Sequence, residues 1–255
     1  MTAALFVASR GGDANQGAWG PVGRLEYADD VYRFFYTRGA RTLPGFRPFV
    51  EMNDMEQVYE SDELFPLFAN RLLSPKRPEY DAYLRWGGFV PGTQPDPIAI
   101  LGVTEGIRVT DAVEVFPAPV PDADGSYLNK FFLHGIRWMP PEAHQRILAL
   151  KSDERLFVML DVCNRHDPNA VAIRTDTERM LIGYVPRYLA RDVRELSQQC
   201  EPDFIELFVQ QVNRDAPLQQ RVLCRMHACW PDGFRPCSGD AFQPIPAEME
   251  IAQRG

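Results

Sequence analysis

No apolar run in the 255 residues reaches the roughly 18 to 20 positions that a membrane-spanning helix needs. The opening stretch, Met1 to Ala8, has no basic segment of the kind that begins a secretory leader. Both absences point to a cytoplasmic protein without a membrane partner. Cysteine provides no framework either: Cys163, Cys200, Cys224, Cys229 and Cys237 are odd in number and scattered, which suits reduced thiols better than disulfides. Positive charge is short, with 27 basic against 35 acidic side chains and a net charge of −8. That balance argues against a protein that coats nucleic acid by bulk electrostatics. Gly11-Gly12 lacks the Gly-Lys-Ser/Thr ending that grips phosphate and Mg²⁺, and no Asp-Phe-Gly or His-Arg-Asp segment occurs. ATP hydrolysis and phosphoryl transfer by those routes are excluded, no cofactor is expected, and the chain leans away from an enzyme while leaving that question open.

What the chain does have is ordinary globular composition, 45% hydrophobic and 24% charged, in a length that allows two ordinary domains. Leu5 to Ala8, Trp19 to Leu25 and Tyr32 to Thr37 read as strands, with residues 11–17 as a loop. Ser61 reads as the N-cap of a helix carrying Leu64, Leu67, Phe68 and Leu72 at helical spacing. Pro78 begins another helix with Tyr80, Tyr83 and Leu84 inward, a stripe that reads as core. Asp96 to Gly106 reads as a short helix and Thr110 to Phe116 as a strand. Residues 117–126 have the Pro-rich, acidic composition of a semi-rigid linker. The division is therefore an N-terminal α+β domain over 1–116, a second domain over 127–236, and a tail over 237–255.

The second domain carries the informative residues. Leu156 to Val162 and Val171 to Ile173 read as strands flanking the polar loop Asn164-Arg165-His166-Asp167-Pro168-Asn169, whose residue types supply turn chemistry. Met180 to Val185 reads as a strand, and Pro186 opens a helix. Phe131 to Trp138 reads as the first strand and Pro141 to Leu150 as a helix, with two later strands at Phe204 to Val212 and Leu218 to Trp230. Only residues 126–199 are net positive, with 11 basic and 9 acidic side chains. On the helix, Arg187, Arg191 and Arg194 fall within about 60° of each other at 100° per residue. They read either as a phosphate-holding row or as a solvated face with an Arg191–Glu195 pair.

The tandem of Asn164-x-x-Asp167-x-Asn169-Ala170-Val171 and Ile182-Gly183-Tyr184-x-Pro186-x-x-Leu189-Ala190 resembles the HIRAN domain. The resemblance covers roughly Tyr127 to Arg235. It implies an OB/SH3-like six-stranded β-barrel with two helices that binds single-stranded DNA and captures its 3′ end. Arg137, Trp138, His166, Asp167, Tyr184 and Arg187 would line the groove. Arg137 and Arg187 suit phosphates, Asp167 suits a 3′-hydroxyl, and the flat rings of Trp138, His166 and Tyr184 suit bases. His166 and Trp138 depart from the aromatic types usual in better-studied members. The family's frequent fusion to helicase motors implies a separate helicase or repair partner here. Leu64 to Leu73, with the segments that follow it to Phe116, resembles the small N-terminal subdomain of HipA-type kinases, which suggests a fold and no activity.

Two rival functions stand beside DNA binding in repair or replication. One is a protein-interaction adaptor whose barrel does not bind DNA. The other is zinc binding on Cys224, His227, Cys229 and Cys237, or metal-dependent hydrolysis, for which no cluster of carboxylate or His ligands stands out. Strand alternation opposes the zinc set, because it puts Cys224 on the opposite side from His227 and Cys229. No metal site is therefore expected.

Overall fold

The computed structural model describes residues 3–10, 18–108, 111–201 and 205–246. The loop expected at 11–17, Thr110 and Phe204 at the starts of two expected strands, and the last part of the expected tail lie outside them. The chain packs as two units: the described residues within 1–74, 95–118 and 237–255, and those within 75–94 and 119–236.

The first unit is built on strands β1 (Ala3–Arg10), β2 (Trp19–Ala28), β3 (Val31–Tyr36), β4 (Tyr59–Ser61) and β5 (Val113–Pro117). They form an antiparallel sheet in the order β4-β3-β2-β1-β5. Asp29 and Asp30, both at positive φ, make the tight turn between β2 and β3. Helices α1 (Gly39–Thr42), α2 (Pro66–Ala69) and α4 (Pro97–Thr104) belong to this unit, whereas α3 (Tyr80–Trp86) belongs to the second. Leu25, Phe34, Phe68 and Leu101 share the buried core. The helix expected from Ser61 starts only at Pro66, because Tyr59–Ser61 pairs with β3 as an edge strand. The Ser61 hydroxyl accepts from the Glu63 N–H in a local turn instead of capping a helix.

Two segments cross the boundary drawn from composition. Residues 75–94 pack with the second unit, where Arg85 and Trp86 both donate to Asp215 and the Gln211 amide donates to the carbonyls of Arg85 and Trp86. The start of the expected tail returns to the first unit through the Thr37–Pro244 bridge and the Arg38–Asp240 ion pair at 2.6 Å.

The second unit contains β6 (Ser126–Phe132), α5 (Pro141–Ala149), β7 (Arg155–Leu160), β8 (Val171–Thr175), β9 (Leu181–Tyr184), α6 (Arg187–Gln199), β10 (Glu206–Val212) and β11 (Val222–Cys229). Its six strands form a curled sheet, a half-barrel, in the order β6-β11-β10-β7-β8-β9. The expected α+β class and barrel-like second domain are what the structure shows. The first strand lies earlier than the expected Phe131 to Trp138: it runs Ser126–Phe132, and Ile136–Trp138 form a 3₁₀ turn. Gly135, at φ 73°, makes the break.

That break lets the two ends of the sheet meet. His134 and Tyr184 exchange backbone hydrogen bonds, both 2.9 Å, so the segment after β6 pairs with β9. Gly183 is required there, since a Cβ would stand 2.5 Å from the His134 carbonyl oxygen. Helix α6 buries Leu189, Val193 and Leu196, the face expected from their spacing. It also buries Asp192, which accepts from the Tyr127 hydroxyl at 3.1 Å.

Cys200, just past α6, and Cys229, at the end of β11, are bonded to each other. This overturns the expectation of reduced thiols throughout; Cys163, Cys224 and Cys237 form no disulfide. The pairing was invisible in the sequence because 29 residues separate two cysteines that only the packing of α6 brings to a Cα distance of 6.6 Å.

Two measurements follow from this packing. A cross-link closing a 29-residue loop stabilises by about 3.6 kcal/mol in the chain-entropy account. Dithiothreitol should therefore lower the urea midpoint of the wild type and leave that of Cys200→Ala unchanged. Burial raises the Asp192 carboxyl to about 7 from an unfolded value of 3.8, against the Tyr127 hydrogen bond that lowers it. The folded state thus favours protonated Asp192, a contribution complete below the unfolded value and lost as pH rises through about 7. The urea midpoint should fall between pH 5.5 and pH 8, and Asp192→Asn should remove most of that fall.

Candidate functional site

The polar loop between β7 and β8 is ordered by its own side chains. Asp161 N–H donates to the Ala170 carbonyl at 3.0 Å and so closes the loop's base. Inside it, the Asn164 side-chain oxygen accepts from the N–H groups of His166 (3.0 Å) and Asp167 (3.1 Å), while its amide donates to Asp161 (3.0 Å). Asp167 in turn accepts from the Asn169 N–H at 2.8 Å. Asn and Asp favour such side-chain turns because a short polar side chain reaches its own backbone two residues on. The strand expected to reach Val162 stops at Leu160, with Asp161 committed to this network.

Tyr184 joins the loop from β9. Its hydroxyl donates to Asp161 at 3.1 Å, and its pKa is raised by burial and by that carboxylate. The ring lies against Gly135, where a Cβ would come within 2.9 Å of it. Only glycine suits that position, on steric grounds as well as for its positive φ.

Arg187 occupies the first position of α6, after Pro186. Its guanidinium stands 3.6 Å from the Asp167 carboxylate, both groups being partly exposed. The helix N-terminus adds partial positive charge at the same place. On the 3₁₀ turn, the Arg137 guanidinium stacks at 4.5 Å on the Trp138 ring, and Trp138 is 74% exposed. A large aromatic so exposed presents its other face to a flat ligand. His166 is exposed on the loop.

Of the six residues expected in a groove, the structure therefore joins Asp167 to Arg187 directly. It links Tyr184 to the same loop through Asp161 and stacks Arg137 on Trp138 beside Gly135. Arg137 and Trp138 sit on a turn and not on a strand. Farther along α6, Glu195 accepts from Gln199 at 3.2 Å, a bond the sequence reading did not include. Asp161 and Asn164 were missed as organisers of the site. Asp161 looked like part of an apolar strand and Asn164 like a generic turn residue.

The rival metal set does not assemble. Cys229 is bonded to Cys200, Cys237 belongs to the first unit, and Cys224 is fully buried with its thiol pushed up to about 12 by burial. His227 faces Glu206 at 3.5 Å. Among the described residues no group of three or more His, Cys, Asp or Glu is placed to hold a metal ion. Among them, too, no helix is long and apolar enough to cross a membrane. An open pocket of about 560 Å³ lies over Asp124, Glu206, His227 and Trp230. It shares no residue with the loop site, and its two carboxylates suit an anionic backbone poorly.

The loop network gives a specific expectation. Asn164→Ala removes the acceptor of two backbone N–H groups and should cost about 1 to 2 kcal/mol. Hydrogen exchange should show faster exchange at His166 and Asp167 than in the wild type, with the amides of β10 unchanged.

No curated protein matches this chain. It is similar to a solved protein from Lactobacillus plantarum, at 16% identity over 41% of this chain and 99% of that one, with a TM-score of 0.32. It is likewise similar to the HIRAN domain of human HLTF, at 17% identity over 41% of this chain and 79% of that one, with a TM-score of 0.29. The family model that matches is that of the HIRAN domain, over residues 128–227, and this segment of the second unit is a HIRAN domain.

Proposed function

We propose that the second unit binds DNA and captures the 3′ end of a single strand. Membership of residues 128–227 in a nucleic-acid-binding domain family supports binding in general. The observation that carries the finer reading is the Asp167–Arg187 pair at the start of α6. At 3.6 Å the contact is longer than a tight hydrogen bond, so the Asp167 carboxylate keeps acceptor capacity beside the charge of Arg187. A terminal 3′-hydroxyl can donate to Asp167 while Arg187 and the helix N-terminus hold the adjoining phosphate. A 3′-phosphate would place two negative charges beside Asp167 and be rejected. Trp138 and Tyr184 offer rings for the last bases, and Arg137 a further cation. His166 stands at the exposed edge of the loop, where its ring can stack on a base. Such a module serves repair or replication-fork processing beside a helicase or repair protein that supplies the motor. To the first unit we assign no activity.

The test is fluorescence anisotropy with a short labelled strand ending in 3′-hydroxyl or in 3′-phosphate, at low and physiological salt. The wild type should prefer the hydroxyl end by about tenfold, a difference of roughly 1.4 kcal/mol. Asp167→Ala should abolish that preference, and Arg187→Gln should weaken both strands. Absence of binding to either strand at low salt would overturn the reading and leave the unit as a protein-interaction adaptor.

A further inference from the structure

The pairing register of the second sheet places six side chains on one face in a pattern that the loop site does not use. Across β6, β11, β10 and β7, the directly opposed residues are Lys130, Arg225, Phe208 and Arg155. Opposed residues in an antiparallel pair share a face, and so do residues two apart on one strand. Phe157 therefore continues the row on β7, and its partner Arg174 extends it to β8. The result is a stripe of four cations and two rings across five strands. At about 4.8 Å per strand it spans roughly 19 Å.

The side chains are engaged with each other as the register implies. The Arg225 guanidinium lies 4.9 Å from the centre of the Phe208 ring. Arg155 and Arg174 lie 5.2 and 4.8 Å from that of Phe157. A guanidinium laid against a ring loses little of its hydrogen-bonding capacity, because its donors point outward in its own plane. Two acids adjoin the stripe. Asp153 pairs with Arg225 at 2.8 Å, and Glu206, two residues before Phe208, faces His227. The four cations outnumber them, and Lys130 and Arg225 are exposed.

We infer that this stripe is a track for the sugar-phosphate backbone and bases of a single-stranded nucleic acid, distinct from the pocket for a strand end. Cations at interstrand spacing match a polyanion, and the interleaved phenylalanines match flat bases. A duplex hides those base faces, and an acidic peptide has nothing for the rings. The stripe also leads toward the loop site: two residues beyond Phe157 on β7, Met159 is opposed by Ala172, which is opposed by Tyr184.

A circular single strand isolates this surface, because it has no terminus to capture. The wild type should bind a circular single-stranded DNA at low salt. Lys130→Glu/Arg225→Glu should lower that affinity at least tenfold and reduce the slope of log K against log salt by about 1.4, two phosphates at roughly 0.7 each. Phe157→Leu should weaken binding about fivefold with the slope unchanged. If the charge-reversed protein does not fold, Lys130→Gln/Arg225→Gln, which puts no like charge beside Asp153, should show the same direction. No binding of the circle, or equal binding and slope in the folded charge variants, would overturn the proposal whatever the end preference of linear strands. Displacement of the circle by polyglutamate of equal charge, with Phe157→Leu without effect, would overturn it in favour of an acidic peptide.

Discussion

The second unit depends on one close approach, the backbone pairing of His134 with Tyr184. An open curled sheet leaves two edges whose N–H and C=O groups must find partners. Here one edge strand, β9, is met by the chain just after the other, β6, and two hydrogen bonds of 2.9 Å join them. The approach leaves no space for a side chain at Gly183 and only a turn at Gly135. It also fixes the direction of Tyr184, whose ring lies against Gly135 and whose hydroxyl reaches Asp161. The contact that joins the sheet's edges is thus the one that brings β9, the 3₁₀ turn and the polar loop together. Functional side chains gain precision when they stand on elements locked in this way.

Much of this was legible in residue patterns and some was not. The α6 face and the strand–loop–strand unit followed from periodicity and turn chemistry, because those signals are local, whereas the barrel-like domain was implied by the resemblance to the HIRAN domain. The reach of Phe131 to Trp138 was misread since apolar residues continue past Phe132. A single glycine, Gly135, ends the strand, and a glycine inside an apolar run is a weak signal by itself. The Ser61 helix failed for the opposite reason: a good N-cap was present, but edge pairing with β3 satisfied the backbone first. The Cys200–Cys229 bond was out of reach of any local rule. So was the organising role of Asp161, which needed Tyr184 from a different strand and Asn164 from the loop.

Net charge misleads for a related reason. At −8 the whole chain repels polyanions, yet Lys130, Arg225, Arg155 and Arg174 are drawn from four strands that are far apart in sequence. A sheet sorts residues by register, so it can gather one sign of charge on a face far more densely than the weakly positive window 126–199 displays. Screening sharpens the point: at physiological ionic strength charges act over roughly 8 Å, so a ligand on the stripe senses its immediate cations far more than distant acids. An acidic surround then weakens unspecific adhesion elsewhere, and the local basic row selects where a strand lies. By this reasoning the low overall charge and a nucleic-acid surface are compatible, provided that binding is confined to a face where rings and cations alternate.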